Sequence, residues 1–324
     1  MAEAAKKYPF ENLVLSGGGI WGLAYAGVAQ VLAEEGIYAG IRRIAGVSSG
    51  AIFATLICLG YEPEDIISIL HETDFHSFED KPNFFRLFHK YAIFAGDALL
   101  EWLEELVAKS PAGDGNPGLT FQELLEKNGR ELYVFATDLN TQTYREFSAR
   151  TRPNMKIVHA VRASASLPLV FKAWRFPAEY GHMNIYCDGG MMNNYPIGFF
   201  DAPHFCRKGE LANERTLGFL FLAPPANAER PDDGLVYGEL HAYLKALLES
   251  IIVGVSVSLQ TSDNVERTVM TPIHDTGISP IHFKINAKEI EALLEVGRKS
   301  IRAYLKEYSE RYETVNGRQG VSAK

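Results

Sequence analysis

The stretch NLVLSGGGIWGLAYAGVAQVL, residues 12–32, joins a short apolar run, a glycine cluster and a run of small apolar residues. This order predicts a β-strand that turns through Gly17–Gly22 directly into a helix. The glycines fit the spacing G-x-G-x-x-G, which is typical of a loop that binds a dinucleotide pyrophosphate. Bare backbone amides at a helix N-terminus can equally stabilise an anion that forms during a reaction. The glycines alone leave both interpretations open.

The composition indicates a globular protein with an acidic balance of charge. Of 324 residues 47% are hydrophobic, which is enough to bury a substantial core. The net charge of −8 and the lack of a basic stripe argue against a nucleic-acid partner. The three cysteines, at 58, 187 and 206, show neither C-x-x-C spacing nor a metal-ligand grouping. We therefore expect a reducing compartment and no bound metal.

The distribution of apolar residues bears on location. The first ten residues carry two lysines with no apolar stretch after them, so we expect no signal peptide. The longest apolar run, near 251–259, is well short of the roughly 20 residues that a membrane-spanning helix needs. The expected location is cytoplasmic, or peripheral at a membrane surface.

Strand-like and helix-like segments alternate along the chain, which predicts an α/β fold with a mainly parallel sheet. Strands are expected at 12–15, 40–46, 131–136, 184–187 and 217–222, and helices at 22–35, 49–59, 63–70, 97–108, 157–165, 238–260 and 287–308. Residues 226–237 are the most linker-like segment, but one domain over 10–308 is the expected organisation. A frayed tail is expected over 309–324.

A second glycine motif, GVSSG at 46–50, lies where the second strand meets the second helix. Glycines on both sides of Ser48 predict a tight strand-to-helix elbow that exposes the serine hydroxyl as a nucleophile. A dinucleotide site would instead require an acidic residue at this strand tip. Glu34 and Glu35 have about the right spacing but end the first helix. This favours an oxyanion hole at Gly17–Gly19, with Gly22, Gly46 and Gly50 as supporting glycines.

The best candidate for a general base is an aspartate. The nine histidines are scattered, and each is better explained by a structural role. Asp188, in the sequence YCDGG at 186–190, follows a short strand and precedes Gly189 and Gly190, which permit close approach. Taken alone, this sequence is also a favourable turn. Asp138, just past another strand, is equally well explained as a turn or capping residue.

Together these motifs resemble those of the patatin-like phospholipase family. The glycine block at 17–22, the G-x-S-x-G block at 46–50 and the D-G-G block at 188–190 occur in the family's order. The ASASLP segment at 163–168 with Phe171, the TGI segment at 276–278 and the helix after Ile285 are similar as well. The resemblance covers about residues 10–308.

The resemblance implies a three-layer α/β/α sandwich and a Ser–Asp dyad without histidine. Ser48 would be the nucleophile and Asp188 the base of a lipid acyl hydrolase, of phospholipase A or lysophospholipase type. No metal or cofactor is implied. The expected partner is a lipid or membrane-surface substrate, whereas a protein activator and the oligomeric state are not indicated. The aromatic segment 75–94, including Phe84, Phe85 and Phe88, is a candidate membrane-approach surface, and 247–259 a candidate buried helix.

One residue departs from the family pattern. The family usually carries arginine or lysine before the last glycine of the first motif, where this chain has Trp21. The change concerns how the glycine loop is braced and leaves its amides in place. Two alternatives to an acyl hydrolase remain: a non-catalytic lipid- or protein-binding module on the same fold, and a dinucleotide-binding oxidoreductase.

Overall fold

The computed structural model describes residues 8–79, 92–181, 184–222 and 262–321, with only the backbone for 178, 262, 263 and 312–321. The strands are β1 (Asn12–Leu15), β2 (Arg43–Val47), β3 (Ala92–Phe94), β4 (Glu131–Asp138), β5 (Thr143–Phe147), β6 (Leu169–Phe171), β7 (Trp174–Arg175), β8 (Ile185–Asp188), β9 (Thr216–Phe221) and β10 (Thr268–Thr271). The helices are α1 (Ala24–Glu34), α2 (Ser49–Cys58), α3 (Pro63–Glu72), α4 (Asp97–Lys109), α5 (Phe121–Asn128), α6 (Ile157–Ser164), α7 (Gly190–Asn193) and α8 (Ala287–Val321).

The central sheet has the strand order β10-β9-β1-β2-β4-β8-β7, and β5 also pairs with β4. Strands β10, β9, β1, β2 and β4 are parallel to one another, whereas β5, β7 and β8 join by antiparallel pairing. Strands β3 and β6 form a separate small sheet. The predicted mainly parallel α/β sheet is confirmed.

Both faces of the sheet are buried, as β1 shows. Leu13 and Leu15 point into one hydrophobic cluster and Val14 points into another on the opposite face. The first cluster includes side chains of α1, α2 and α8. The second includes Tyr195, Ile197 and Phe200 in and beside a 3-10 helix. The layers form a three-layer α/β/α sandwich, as predicted.

The sequence prediction differs from the structure mainly outside the central strands. It missed α5, although Thr120 and Glu123 form a capping box there, and it missed the antiparallel β5. Residues 309–321, expected to be frayed, continue α8 as helix to Val321. The expected linker 226–237, the helix 238–260, the segment 247–259 and the side chains Phe84, Phe85 and Phe88 lie outside the described residues. The domain boundaries remain a prediction.

Candidate active site

Strand pairing brings the second and third motifs together at one end of the sheet. Strand β4 pairs with β2 as far as Val47–Phe135, and with β8 from Ala136–Asp188 onwards. Because β5 occupies the opposite edge of β4 over this region, β2 and β8 must follow one another along the same edge. Ser48, the residue after β2, therefore lies beside Asp188 at the end of β8.

The backbone at Ser48 has the geometry of a strained elbow. Its φ of 53° and ψ of −124° lie in a region that non-glycine residues rarely adopt. A Cβ on Gly46 would overlap the Gly50 carbonyl, and one on Gly50 would overlap the Leu15 carbonyl. Both glycines are therefore required by close backbone packing beneath the elbow, as the sequence predicted for a G-x-S-x-G turn.

The two candidate catalytic side chains are in direct contact. Ser48 Oγ donates a hydrogen bond to Asp188 Oδ2 over 2.6 Å. The other carboxylate oxygen, Oδ1, accepts from the Gly190 amide at 2.8 Å. Asp188 is only 3% exposed, and burial raises its pKa to about 6, against the opposing effect of these two hydrogen bonds. This carboxylate is therefore a stronger base than an exposed aspartate.

Residues of α6 and the following turn support the backbone behind both side chains. Ser164 Oγ accepts a hydrogen bond from the Ser48 amide at 2.9 Å and donates one to the Phe135 carbonyl at 2.6 Å. The Asp188 amide donates to the Ser166 carbonyl at 2.9 Å. The ASASLP segment thus contributes structural hydrogen bonds to the site, and Ser164 fixes the elbow itself.

The first glycine motif lies against the same site. Gly17 and Asn194 form a reciprocal pair, because the Gly17 amide donates to the Asn194 carbonyl and Asn194 Nδ2 donates to the Gly17 carbonyl, both at 3.2 Å. The amide of Gly17 is therefore already occupied. The amides of Gly18 and Gly19 have no hydrogen-bond partner within the described parts of the chain. These two residues, unlike Gly17, line the cavity that holds Ser48.

Asn194 was missed by sequence reasoning. It is 4% exposed and follows α7, a single helical turn that returns the chain from Asp188 to the glycine loop. The only signal in the sequence was its position shortly after the D-G-G motif. That signal is weak, because an asparagine one turn after glycines is common on protein surfaces. Gly22 and Gly189 have packing roles, because a Cβ would overlap Ser49 and the Phe135 carbonyl respectively.

The alternative acid and the histidines lie elsewhere. Asp138 accepts hydrogen bonds from the Asn140 amide and the Asn184 side chain at 2.9 and 2.8 Å. These bonds hold its pKa below the usual value although desolvation opposes them. His159 contacts Tyr180 Oη at 2.9 Å, and burial lowers its pKa to about 4. No histidine in the described ranges forms a hydrogen bond or ion pair with Ser48 or Asp188.

An apolar cavity extends from Ser48 and Asp188. One of its walls is a face of α2 formed by residues at 49, 52, 53 and 56, which spans about 10 Å. Further apolar lining comes from α3, the 3-10 helix Phe75–Phe78 and α4, and also from residues within 20–23, 165–171 and 280–283. Lining side chains in this region are Ile52, Phe53, Leu56, Leu70, Phe75, Phe78, Leu99 and Trp102. The cavity suits a hydrocarbon chain whose reactive end meets Ser48.

Two further properties concern ions and membranes. The described residues contain no group of three or more His, Cys, Asp or Glu side chains placed to hold a metal ion. Among the described helices, none has both the length and the apolar character to cross a bilayer.

Comparison with known proteins agrees with this geometry. The family model for patatin-like phospholipases matches residues 13–201. The chain is 30% identical to the uncharacterized protein R571 of Acanthamoeba polyphaga mimivirus, covering 90% of this chain and 92% of that protein. It is 31% identical to the probable lipid hydrolase 463L of Invertebrate iridescent virus 6, covering 58% of this chain and 62% of that protein.

A solved structure shares the fold. VipD from Legionella pneumophila superposes with a TM-score of 0.56 at 18% identity, covering 93% of this chain and 67% of that one. The family match includes the glycine loop, the serine elbow and the D-G-G turn, the three segments that meet around the cavity. The chain therefore belongs to the patatin-like phospholipase family, a family of lipid hydrolases.

Proposed function

We propose that this protein is a serine-dependent lipid acyl hydrolase, of phospholipase A or lysophospholipase type. The observation that carries the proposal is the 2.6 Å hydrogen bond from Ser48 Oγ to Asp188 Oδ2 at one end of an apolar cavity. Membership of a phospholipase family and similarity to a probable lipid hydrolase support the choice of a lipid ester as substrate.

In the acylation step, Asp188 Oδ2 accepts the proton of Ser48 Oγ while Oγ attacks the ester carbonyl carbon. The carbonyl oxygen becomes an oxyanion, which the amides of Gly18 and Gly19 stabilise as hydrogen-bond donors. When the tetrahedral intermediate collapses, the C–O bond to the alcohol breaks and Asp188 returns its proton to the leaving oxygen. The products are an alcohol, such as a lysophospholipid, and an acyl ester on Ser48.

Deacylation repeats the same proton movements with water. Asp188 accepts a proton from water, whose oxygen attacks the acyl ester, and the proton then passes to Ser48 Oγ as the fatty acid leaves. The N-terminus of α2, which begins at Ser49, adds a partial positive charge next to the developing anion. No histidine, metal or cofactor is needed for this sequence.

The apolar cavity supports a long acyl chain as the part of the substrate that is recognised. Each methylene transferred from water to such a cavity contributes about 0.8 kcal/mol. The face of α2 between Ser49 and Leu56 gives this chain a direction, leading away from Ser48 along the helix. The substrate is therefore proposed to bind with its carbonyl at the elbow and its acyl tail along α2.

The test is hydrolysis of a lipid panel by purified wild-type protein and Ser48→Ala. The panel contains a phospholipid, a lysophospholipid, a neutral glyceride and a soluble short-chain ester. We expect acyl hydrolysis by wild type and a loss of about 10⁴-fold or more in Ser48→Ala, with unchanged circular dichroism. A folded wild-type protein without activity on any ester would favour the non-catalytic binding module. Cofactor absorbance or NAD binding would instead indicate an oxidoreductase.

A further inference from the structure

The glycine loop is contacted by a segment from far along the chain, Ile278–Pro280. The indole Nε1 of Trp21 donates to the Ile278 carbonyl at 2.6 Å. The amide of Ile20 donates to the Pro280 carbonyl at 2.9 Å. Trp21 is 4% exposed and Ile278 is 9% exposed, so water competes little for these bonds.

Close contacts also constrain Gly18 and Gly19, the two residues whose amides lack hydrogen-bond partners in the described chain. Gly19 has a φ of +56°, and a Cβ there would overlap the Pro280 carbonyl. A Cβ on Gly18 would overlap the ring of Phe221, which Trp21 contacts edge-on at 6.2 Å between ring centroids. Gly18 and Gly19 are thus held between Phe221 on one side and Pro280 on the other.

The segment Ile278–Pro280 is itself held in place by its neighbours along the chain. It follows a 3-10 helix, Ile273–Thr276, which ends at Gly277 with a φ of +67°. It precedes α8, which packs closely on α1 where Gly27 meets the Leu294 carbonyl and Gly297 meets the Ala24 carbonyl. The whole segment lies beyond residues 13–201, where the family model matches. A part of the chain outside the shared motifs therefore contacts the glycine loop.

We propose that Trp21, through its hydrogen bond to the Ile278 carbonyl, is a positioning residue for the amides of Gly18 and Gly19. The inference rests on the proposed function, since it assigns these amides to the oxyanion. The indole fixes the C-terminal side of the glycine loop. Trp21 is not among the residues that line the cavity, so its effect is on the alignment of the amides in the transition state.

The chain offers a matched control for the indole N–H. In Trp21→Phe the ring is kept and the donor is lost. In Trp174→Phe the same donor is removed from a partly buried indole whose Nε1 is shielded from solvent and has no hydrogen-bond partner in the described structure. We expect Trp21→Phe to lower kcat about 10- to 100-fold with KM changed less than about twofold, because a small misplacement of catalytic groups has this effect. Trp174→Phe should keep both parameters.

A second readout separates alignment from a purely structural role. A trifluoromethyl ketone forms an oxyanion on the nucleophilic serine, whereas the ground-state substrate does not. Affinity for this inhibitor should fall in Trp21→Phe by the same factor as kcat. Wild-type kcat and inhibitor affinity in Trp21→Phe, or an equal loss in Trp174→Phe, would overturn the proposal.

A second variant alters the segment Ile278–Pro280 instead of Trp21. It tests the proposal even if Trp21→Phe does not fold. Gly277→Ala strains the turn into Ile278–Pro280 without a clash, since no atom lies within 4 Å of the new Cβ. Gly129→Ala is its control, because Gly129 has a φ of +71° and equally open space. We expect lower kcat and inhibitor affinity in Gly277→Ala only. Equal values in the two variants would contradict the proposal, whereas wild-type protein inactive on every ester would refute the proposed function instead.

Discussion

Two walls of the same cavity differ in how their atoms are held. The polar wall consists of Ser48, Asp188 and the amides of Gly18 and Gly19. The apolar wall consists of the cavity-facing side chains of α2, α3, α4 and the 3-10 helix Phe75–Phe78. Directional hydrogen bonds fix the polar wall, as at Ser48, whose amide and hydroxyl are bonded over 2.9 and 2.6 Å. Side-chain packing fixes the apolar wall.

In the proposed function, this difference separates two tasks of one site. Hydrogen bonds have narrow geometric tolerance, so the polar wall can control the chemical step. The free energy of apolar contact is nearly proportional to the buried area and depends little on direction. The apolar wall can therefore select acyl chains by length. Substitutions in the polar wall should therefore change kcat for every substrate, whereas those in the apolar wall should change the ranking of substrates.

The largest expected effect lies in the polar wall, at the proposed base. Asp188→Asn keeps the shape of the side chain but removes its ability to accept a proton at neutral pH. Its kcat should fall about 10⁴-fold on long-chain and short-chain esters alike. Asp138→Asn is the control, since Asp138 caps a turn beyond the site and should lose far less. A loss confined to long-chain esters would break the proposed division between the walls.

The same carboxyl predicts the pH dependence of activity. Since burial raises the pKa of Asp188 to about 6, the base is half protonated there, and kcat/KM should fall tenfold per pH unit below that value. The profile should have the same midpoint for short-chain and long-chain esters. A midpoint near pH 4, or one that depends on chain length, would contradict this expectation.

The stability of the folded protein should change with pH in the direction opposite to activity, falling as the pH rises. Because folding raises this pKa from 3.8 to about 6, the folded protein binds the proton more tightly than the unfolded chain. The stability that this tighter proton binding contributes is fully present below pH 4 and is lost as the pH rises from 4 to 6. Asp188→Asn avoids this loss, so its free energy of unfolding should exceed that of wild type by about 3 kcal/mol at pH 7. Urea denaturation at pH 4 and pH 7 should show this advantage shrinking towards pH 4.

A smaller effect is expected at the far end of the apolar wall. Leu56→Phe fills space about 10 Å along α2 from the elbow. It should leave kcat/KM for a short-chain ester unchanged and lower that for long chains about fourfold for each methylene excluded. Val265→Phe adds a ring at a residue outside the cavity lining that is 46% exposed, and should change neither. Equal losses on short and long esters would show that the two walls are not separable.

The smallest effects are expected for the histidines. His159 is engaged by Tyr180, while His274 and His282 approach Asp275 and Glu289. Single alanine variants at these positions should retain most activity in a steady-state assay, and so should His182→Ala, which lies outside the described residues. If one of them lost as much as Asp188→Asn, a triad would replace the Ser–Asp pair and the polar wall would be incomplete as defined.

The sequence predicted much of the polar wall and little of the apolar one. Ser48 and Asp188 were accessible because glycines mark backbone turns at strand ends. Their meeting depends on the antiparallel strand β8, which continues the edge of β4 where β2 ends. The pairing of Gly17 with Asn194, and the contact of Ile278–Pro280, depend on backbone carbonyls, which carry no residue-type signal. In sequence, the cavity face of α2 looks like an ordinary core face, so apolar side chains such as Ile52 and Leu56 gave no sign of a cavity.

The most direct test of the central claim is the rate and site of labelling by a fluorophosphonate, followed by intact mass and peptide mapping. We expect a single adduct on Ser48, absent in Ser48→Ala and formed about 10⁴-fold more slowly in Asp188→Asn. Asp138→Asn should label at close to the wild-type rate. Labelling of folded Ser48→Ala, or an Asp188→Asn variant that labels as fast as wild type, would contradict it.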